Sequence, residues 1–397
     1  MRGMRDVASD QIEAASIRGA RELTVDDVRD MALGASFLGS GGGGSPRAVL
    51  LQLEAAFAAG QRISLIDLAA VPDDALVAPC GWMGAPTVSD EKLPNGSEAA
   101  RGLLRLEQVK HQRVYAVCPI EIGGSNGLSP LLLAAQRGLP VVDCDGMGRA
   151  FPESQMVIFN VHGCTANPAI VTDDKGNTFV FDAASNAEEE RILRVMSIAM
   201  GGACHVIDYA GSGYQMKQHA VRGTVSLAIS IGRALRLARR AGQDPFQALI
   251  DCLRNSSYYC YGGVLVDGKV VDLQRATTGG FAVGRCVLEA FESAERIVVE
   301  FQNENLIARR DDAVLASVPD ILTFLDRETA EPVATEQLRY GQRLKLVGVS
   351  VPPILRSERA LAVLGPRAFG IPEAYRPIES IQGWSHDRSL LHSPARA

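Results

Sequence analysis

Residues 114–153, VYAVCPIEIGGSNGLSPLLLAAQRGLPVVDCDGMGRAFPE, decide the fold. Val114 to Ile122 reads as a buried strand, Asn126 to Arg137 as a short helix, and Leu139 to Asp143 as a second apolar strand. Strand, helix and strand in that order make a βαβ unit, whose crossover joins two parallel strands. In open parallel sheets ligands sit outside the carboxyl ends of the strands. Glu121 at one strand end, and Asp143 and Asp145 at the next, are therefore expected to face one crevice as candidate catalytic groups. Acidic residues also cap loops at such places. Three of them together favour a site.

Working towards the amino terminus, residues 24 to 38 predict an amphipathic helix opened by the capping-box pattern Thr24-Val25-Asp26-Asp27. It runs into Gly39-Ser40-Gly41-Gly42-Gly43-Gly44, then into Ser45 and Pro46 as N-cap and first position of a second helix ending at Gly60. Gly39, Gly41 and Gly44 fit GxGxxG, and Asp67 follows at dinucleotide-fingerprint spacing. That fingerprint follows a strand, whereas this loop follows a helix, so no nucleotide cofactor is expected. The loop's bare backbone can instead offer N–H donors to a ligand, making Ser40, Gly41, Gly42 and Gly43 candidate substrate-binding residues; a hinge or tight helix–helix turn would look the same.

Strands are expected at 63–66, 76–79, 156–161, 169–172 and 178–181, the last two joined by a DDKGN turn. A charged helix over 186–200 leads to a strand at 205–207 and a long helix from Met216 to Ala241. From Ser257 onward short alternating runs with turn signals predict a mainly β region. The fold class is thus α/β: an amino-terminal domain with a parallel or mixed sheet over 23–185, then a long helix and β-rich carboxyl-terminal domain over 186–380. Residues 1–22 and 381–397 read as tails.

The 397 residues carry a net charge of −6, with Arg and Lys scattered rather than striped, which argues against nucleic-acid or anionic-membrane partners. No run approaches a membrane span or signal peptide, so a cytoplasmic protein is expected, in keeping with eight cysteines that show no CxxC pair or disulfide framework. A homo-oligomer is the ordinary expectation at this size.

The chain resembles the S-methyl thiohydantoin desulfurase family, from about residue 23 to about residue 380. The resemblance rests on LGSGGGG at 38–44, VVDCDGMGRAFPE at 141–153, HAVRGTVSLAISIGRA at 219–234, EFQNENLIAR at 300–309, SVPDILTFLD at 317–326 and LGPRAFGI at 364–371. It implies an α/β domain followed by a β-rich one, and chemistry on a five-membered cyclic ureide or its sulfur analogue: water replaces sulfur at the ring carbon between the two nitrogens, giving a hydantoin. Thiohydantoin propionate of ergothioneine breakdown is one implied substrate. His162-Gly163-Cys164 departs from the family's pattern, so no role is carried onto it.

Such chemistry needs an activated water. Asp145 or Asp143 could take its proton, or Glu121, Asp143 and Asp145 could hold one divalent ion that does the same. Three ionised carboxylates in one cleft repel, which favours the metal: oxygen ligands suit magnesium or manganese, and recruitment of His162, His205 or Cys164 would suit zinc. Arg149 could pair a carboxylate or grip a substrate propionate, and Asn126, Asn303 and Asn305 could bind ring N–H and C=O groups. A competing expectation is a non-catalytic subunit partnering a hydantoinase-type or oxoprolinase-type enzyme, since neither HExxH nor paired HxH occurs.

Overall fold

The computed structural model describes residues 19–84 and 94–385. The βαβ unit is formed by strand Val114–Pro119, helix Gly124–Arg137 and strand Val141–Val142, with Val117 paired in parallel to Val141. Ser64–Ile66 and Leu76–Gly84 extend the parallel part on either side. Beyond Leu76–Gly84 the sheet turns antiparallel through Ala203–Ile207, Ala169–Thr172 and Thr178–Phe181. The result is a mixed sheet of nine strands among the described residues. It draws on chain from both sides of the expected domain: Arg21–Glu22 pairs with Ser64–Ile66, and Ala203–Ile207 lies past residue 185. Residues 1–18 and 386–397 of the expected tails lie outside the described residues.

A second sheet of eight antiparallel strands, built around the 17-residue strand Gly262–Thr278, makes the β-rich half. The chain is thus a two-domain α/β protein. Between the sheets, helix Val25–Leu38 crosses helix Thr224–Arg240 at backbone contact: a Cβ on Gly34 would lie 1.9 Å from the Ala228 carbonyl oxygen, and one on Gly232 1.8 Å from that of Asp30. Arg233 and Arg236 clamp the crossing onto buried Asp27 and Asp30. The Thr24 capping box forms as expected, with Asp27 as its reciprocal partner.

Three local expectations change. The long helix is two, Gly213–His219 and Thr224–Arg240, because Gly223 takes a left-handed backbone (φ 74°) and Val221–Arg222 pairs with Cys144–Asp145. Residues 156–161, read as a strand, contain helix Ile158–Val161; a run this short, apolar but for Asn160, has no period to distinguish the two. The second helix spans Arg47–Ala58 with Pro46, not Ser45, at its N-cap. Among the described residues, no helix is long and apolar enough to cross a membrane.

Candidate active site

Strand Val114–Pro119 ends in a tight loop whose Glu121 turns into an open cavity. One wall is the α/β domain: Gly81 to Gly84 at the overshooting end of Leu76–Gly84, Ile120, Glu121, Ser125 and Asn126. The loop after Asp145 supplies Met147 and Phe151 to Ser154, while Asn303 and Glu304 close the cavity from the β-rich sheet. Its mixed polar and apolar lining suits a small ring-shaped ligand.

Glu121 is buried and held at both oxygens. The Asn126 side-chain amide donates to Oε1 at 2.6 Å and the Phe151 N–H to Oε2 at 3.3 Å. Burial pushes its carboxyl up to about 7 against those two donors; the Asp145 charge raises it and Arg149 lowers it. Asn126 is itself clamped, accepting from the Trp82 N–H at 2.6 Å and donating to the Trp82 carbonyl at 3.0 Å. It is a positioning residue, tying Glu121 to the neighbouring strand end.

Asp145 lies behind this wall, fully buried. One oxygen, Oδ2, accepts from the N–H groups of Ile122, Met147 and Gly148 at 2.8 to 3.1 Å. It shapes the loops that carry Glu121 and Phe151 and does not line the cavity, which corrects its expected role as general base. Asp143 turns the other way: its oxygens accept from the Ser226 N–H at 3.0 Å and hydroxyl at 2.6 Å, satisfying the start of helix Thr224–Arg240. Asp143→Ala is therefore expected to cost about 1 kcal/mol of stability, as a lost helix cap does, and to leave turnover unchanged. Urea denaturation beside an activity assay checks it.

The same geometry bears on the metal. With Asp143 bonded to Ser226 and Asp145 Oδ2 filled by three amides, Glu121, Asp143 and Asp145 do not form a shared ligand set. Among the described residues no group of three or more His, Cys, Asp and Glu side chains is arranged to hold a metal ion. His162 stacks on His219 at 4.5 Å, and His205 is buried edge-on to Trp82, its pKa pushed down to about 3 by burial. Cys164 is not brought into the cavity.

Arg149 is also corrected. It is fully buried and does not line the cavity, donating to the carbonyls of Ala150 at 3.0 Å, Asp320 at 2.7 Å and Asn305 at 3.1 Å, with its guanidinium 4.9 Å from the Phe151 ring. It bolts the loop of one domain to the strands of the other. Asn305 belongs to the same seam, donating from its side chain to the Leu322 carbonyl and from its N–H to the Ser40 carbonyl. Ser40, expected to bind substrate, is fully buried and its hydroxyl exchanges hydrogen bonds with the backbone of Leu322.

The glycine loop works chiefly as a clasp. The Gly41 carbonyl accepts from the Thr335 N–H, and the Gly43 and Gly44 carbonyls accept from the Ser125 N–H at the start of helix Gly124–Arg137. Gly41 and Gly42 face an outer groove, whereas Gly43 and Gly44 line the cavity. Asn303 does line it, although its side-chain oxygen is engaged with the Ala282 N–H at 2.8 Å, holding a tight turn.

Among the candidate substrate-binding and catalytic residues, the structure thus brings together Glu121, Asn126, Gly43 and Asn303; it adds Glu304, which the sequence marks only as part of a polar run able to line a cleft or stabilise a β-bulge, and Asp208 and Arg194, which sequence reasoning left out. Glu304 enters beside Asn303, and Asp208 follows strand Ala203–Ile207. Arg194 reaches in from helix Asn186–Ala199 but is paired to Glu190 at 2.6 Å. Asp208 carried the same signal as Glu121, an acid directly after an apolar strand; Glu304 was marked only by the run Asn303-Glu304-Asn305.

Comparison with solved structures finds a crystal structure of a protein from Chromobacterium violaceum, at TM-score 0.76 and 24% identity, covering 90% of this chain and 100% of that one. That likeness speaks for the fold alone. No curated protein matches the chain. Family models described as the S-Me-THD-like N-terminal domain and the S-Me-THD-like C-terminal domain match residues 26–183 and 184–378. The chain therefore belongs to the S-Me-THD-like family.

Proposed function

We propose that the chain is a hydrolase that replaces sulfur by oxygen on a five-membered thiohydantoin or S-methyl thiohydantoin ring. The observation that carries the reading is Glu121: a carboxyl facing the interdomain cavity, clamped at both oxygens, and with its proton affinity raised to about 7. A general base works best when its pKa lies near the working pH. The family's name supplies the ring, and the cavity supplies the base.

Glu121 takes one proton from a water whose oxygen bonds to the ring carbon between the two nitrogens. The resulting tetrahedral centre collapses by breaking the carbon–sulfur bond, and the proton held on Glu121 passes to the departing sulfur. The second proton of the water leaves the new hydroxyl as the carbonyl forms: with an S-methyl substrate it ends on the ring nitrogen, giving hydantoin and methanethiol, and with an unmethylated one it ends on the sulfur, giving hydantoin and hydrogen sulfide. The carboxylates expected to hold a metal do not form its site, so no step is routed through one.

Purified protein incubated with S-methyl thiohydantoins and with thiohydantoin propionate, with and without added zinc, magnesium or manganese, is expected to release methanethiol or sulfide. Silence under every condition, with activity appearing only on addition of a hydantoinase-type partner, would favour the non-catalytic subunit instead.

A further inference from the structure

We propose that Glu304 is the general acid of this reaction, presented from the β-rich wall to the substrate that Glu121 faces from the α/β wall. The inference rests on the reading of Glu121 as the base. Glu304 lines the same cavity, is 3% exposed, and its Oε2 is buried with no hydrogen-bond partner. Its backbone is pinned on both sides. Asn303, in a left-handed conformation (φ 55°), is tied to Ala282, and the Asn305 N–H is bonded to the Ser40 carbonyl. The carboxyl fills the space left by a missing side chain, since a Cβ on Gly42 would lie 1.9 Å from Glu304 Oε1. Those contacts hold the carboxyl in place between the Gly42 backbone and the cavity that it lines.

Charge bookkeeping assigns the proton. The groups that act on Glu304 are Glu121, Arg149 and Glu336, with Asp320 and Asp145 acting on Arg149 and Glu121 behind them. Asp320 is answered by Arg356 at 2.7 Å. Arg149 is hydrogen-bonded only to backbone carbonyls, so its positive charge is balanced through space. Four carboxyls line the cavity, Glu121, Glu153, Asp208 and Glu304, and Arg149 acts on two of them, Glu121 and Glu304; that group of three is neutral when the two carboxyls hold a single proton. Burial and the Glu121 charge both push Glu304 well above the ordinary carboxyl range, so that proton resides on Glu304 and Glu121 is the ionised partner.

In the S-methyl case Glu304 gives its proton to the ring nitrogen as water adds to the adjacent carbon and Glu121 takes the water proton. On collapse the remaining hydroxyl proton returns to Glu304, the carbonyl forms, and sulfur leaves with the proton from Glu121. The two hydrogens of water end on nitrogen and sulfur, and both carboxyls regain their starting states.

The test compares parent, Glu304→Gln and Glu121→Gln by kcat and KM across pH and by the infrared carboxylic-acid band at neutral pH. Glu304→Gln is expected to lower kcat about 10²-fold or more with KM little changed and to remove the alkaline limb of the profile. It should also remove the acid band, while Glu121→Gln removes the acidic limb. Parental kcat with an intact alkaline limb in Glu304→Gln would overturn the proposal, as would an acid band that survives in that variant. A band that is lost in Glu304→Gln from a protein inactive on every thiohydantoin would uphold the protonated Glu304 and overturn only the substrate reading.

Discussion

Glu121→Gln is expected to lower kcat/KM for thiohydantoin hydrolysis about 10²- to 10⁴-fold, the range that a positioned general base contributes. The substitution is nearly isosteric. Its amide oxygen can still accept from Asn126, and the group turned towards the Phe151 N–H gives up only the longer bond, 3.3 Å in the parent. Lost activity would therefore report lost chemistry rather than lost structure.

Stability should move the opposite way. The Glu121 carboxyl is raised from an ordinary 4.5 to about 7 by burial, so the folded state holds the proton more tightly than the unfolded chain. The resulting stabilisation is full below pH ~4.5 and is lost as pH rises through ~7. Above that, the parent carries a buried charge that costs roughly 3 kcal/mol relative to a neutral isostere, from the gap between the two values. The glutamine variant should match the parent near pH 5 and exceed it near pH 8, by less than that figure because one hydrogen bond is lost. Urea denaturation at both pH values checks the sign. A variant with parental turnover would remove Glu121 from the mechanism.

The parts of this site that could be read from sequence were those fixed by local periodicity. Val114 to Arg137 announced a strand and a helix, and the strand-end rule then placed Glu121 in the crevice where the structure has it. The same rule failed for Asp143 and Asp145 because it locates a backbone position and not a side-chain direction. Asp143 turns to Ser226, 83 residues away, and Asp145 is taken up by amides of its own loops. Arg149 and Asn305 were misread for a related reason: their partners are backbone groups, among them the Asp320 and Asn305 carbonyls for Arg149 and the Ser40 carbonyl for Asn305 in the other domain, which a sequence displays nowhere. Glu304 shows the converse. Its role depends on the empty space at Gly42, 262 positions earlier in the chain, and only the docked domains put the two together.

Arg149→Met is expected to be the most damaging single change to stability. Methionine fills part of the volume but leaves the carbonyls of Ala150, Asp320 and Asn305 without their donor in a fully buried seam. Each buried acceptor left unsatisfied costs about 1–3 kcal/mol, so three together approach the ~5–15 kcal/mol that holds a typical domain folded. Arg149→Lys should rescue only in part, because one ammonium cannot reproduce the fork that spans two strands and its own loop. The methionine variant also removes the cation that balances the cavity carboxyls, so any folded fraction should hold the Glu121 and Glu304 protons more tightly and work best at higher pH. Denaturant midpoints for all three proteins, with pH–rate profiles for all three, separate the two effects. A methionine variant within about 1 kcal/mol of the parent would mean that water reaches those carbonyls and that the interdomain bolt lies elsewhere in the seam, at Ser40 and Asn305.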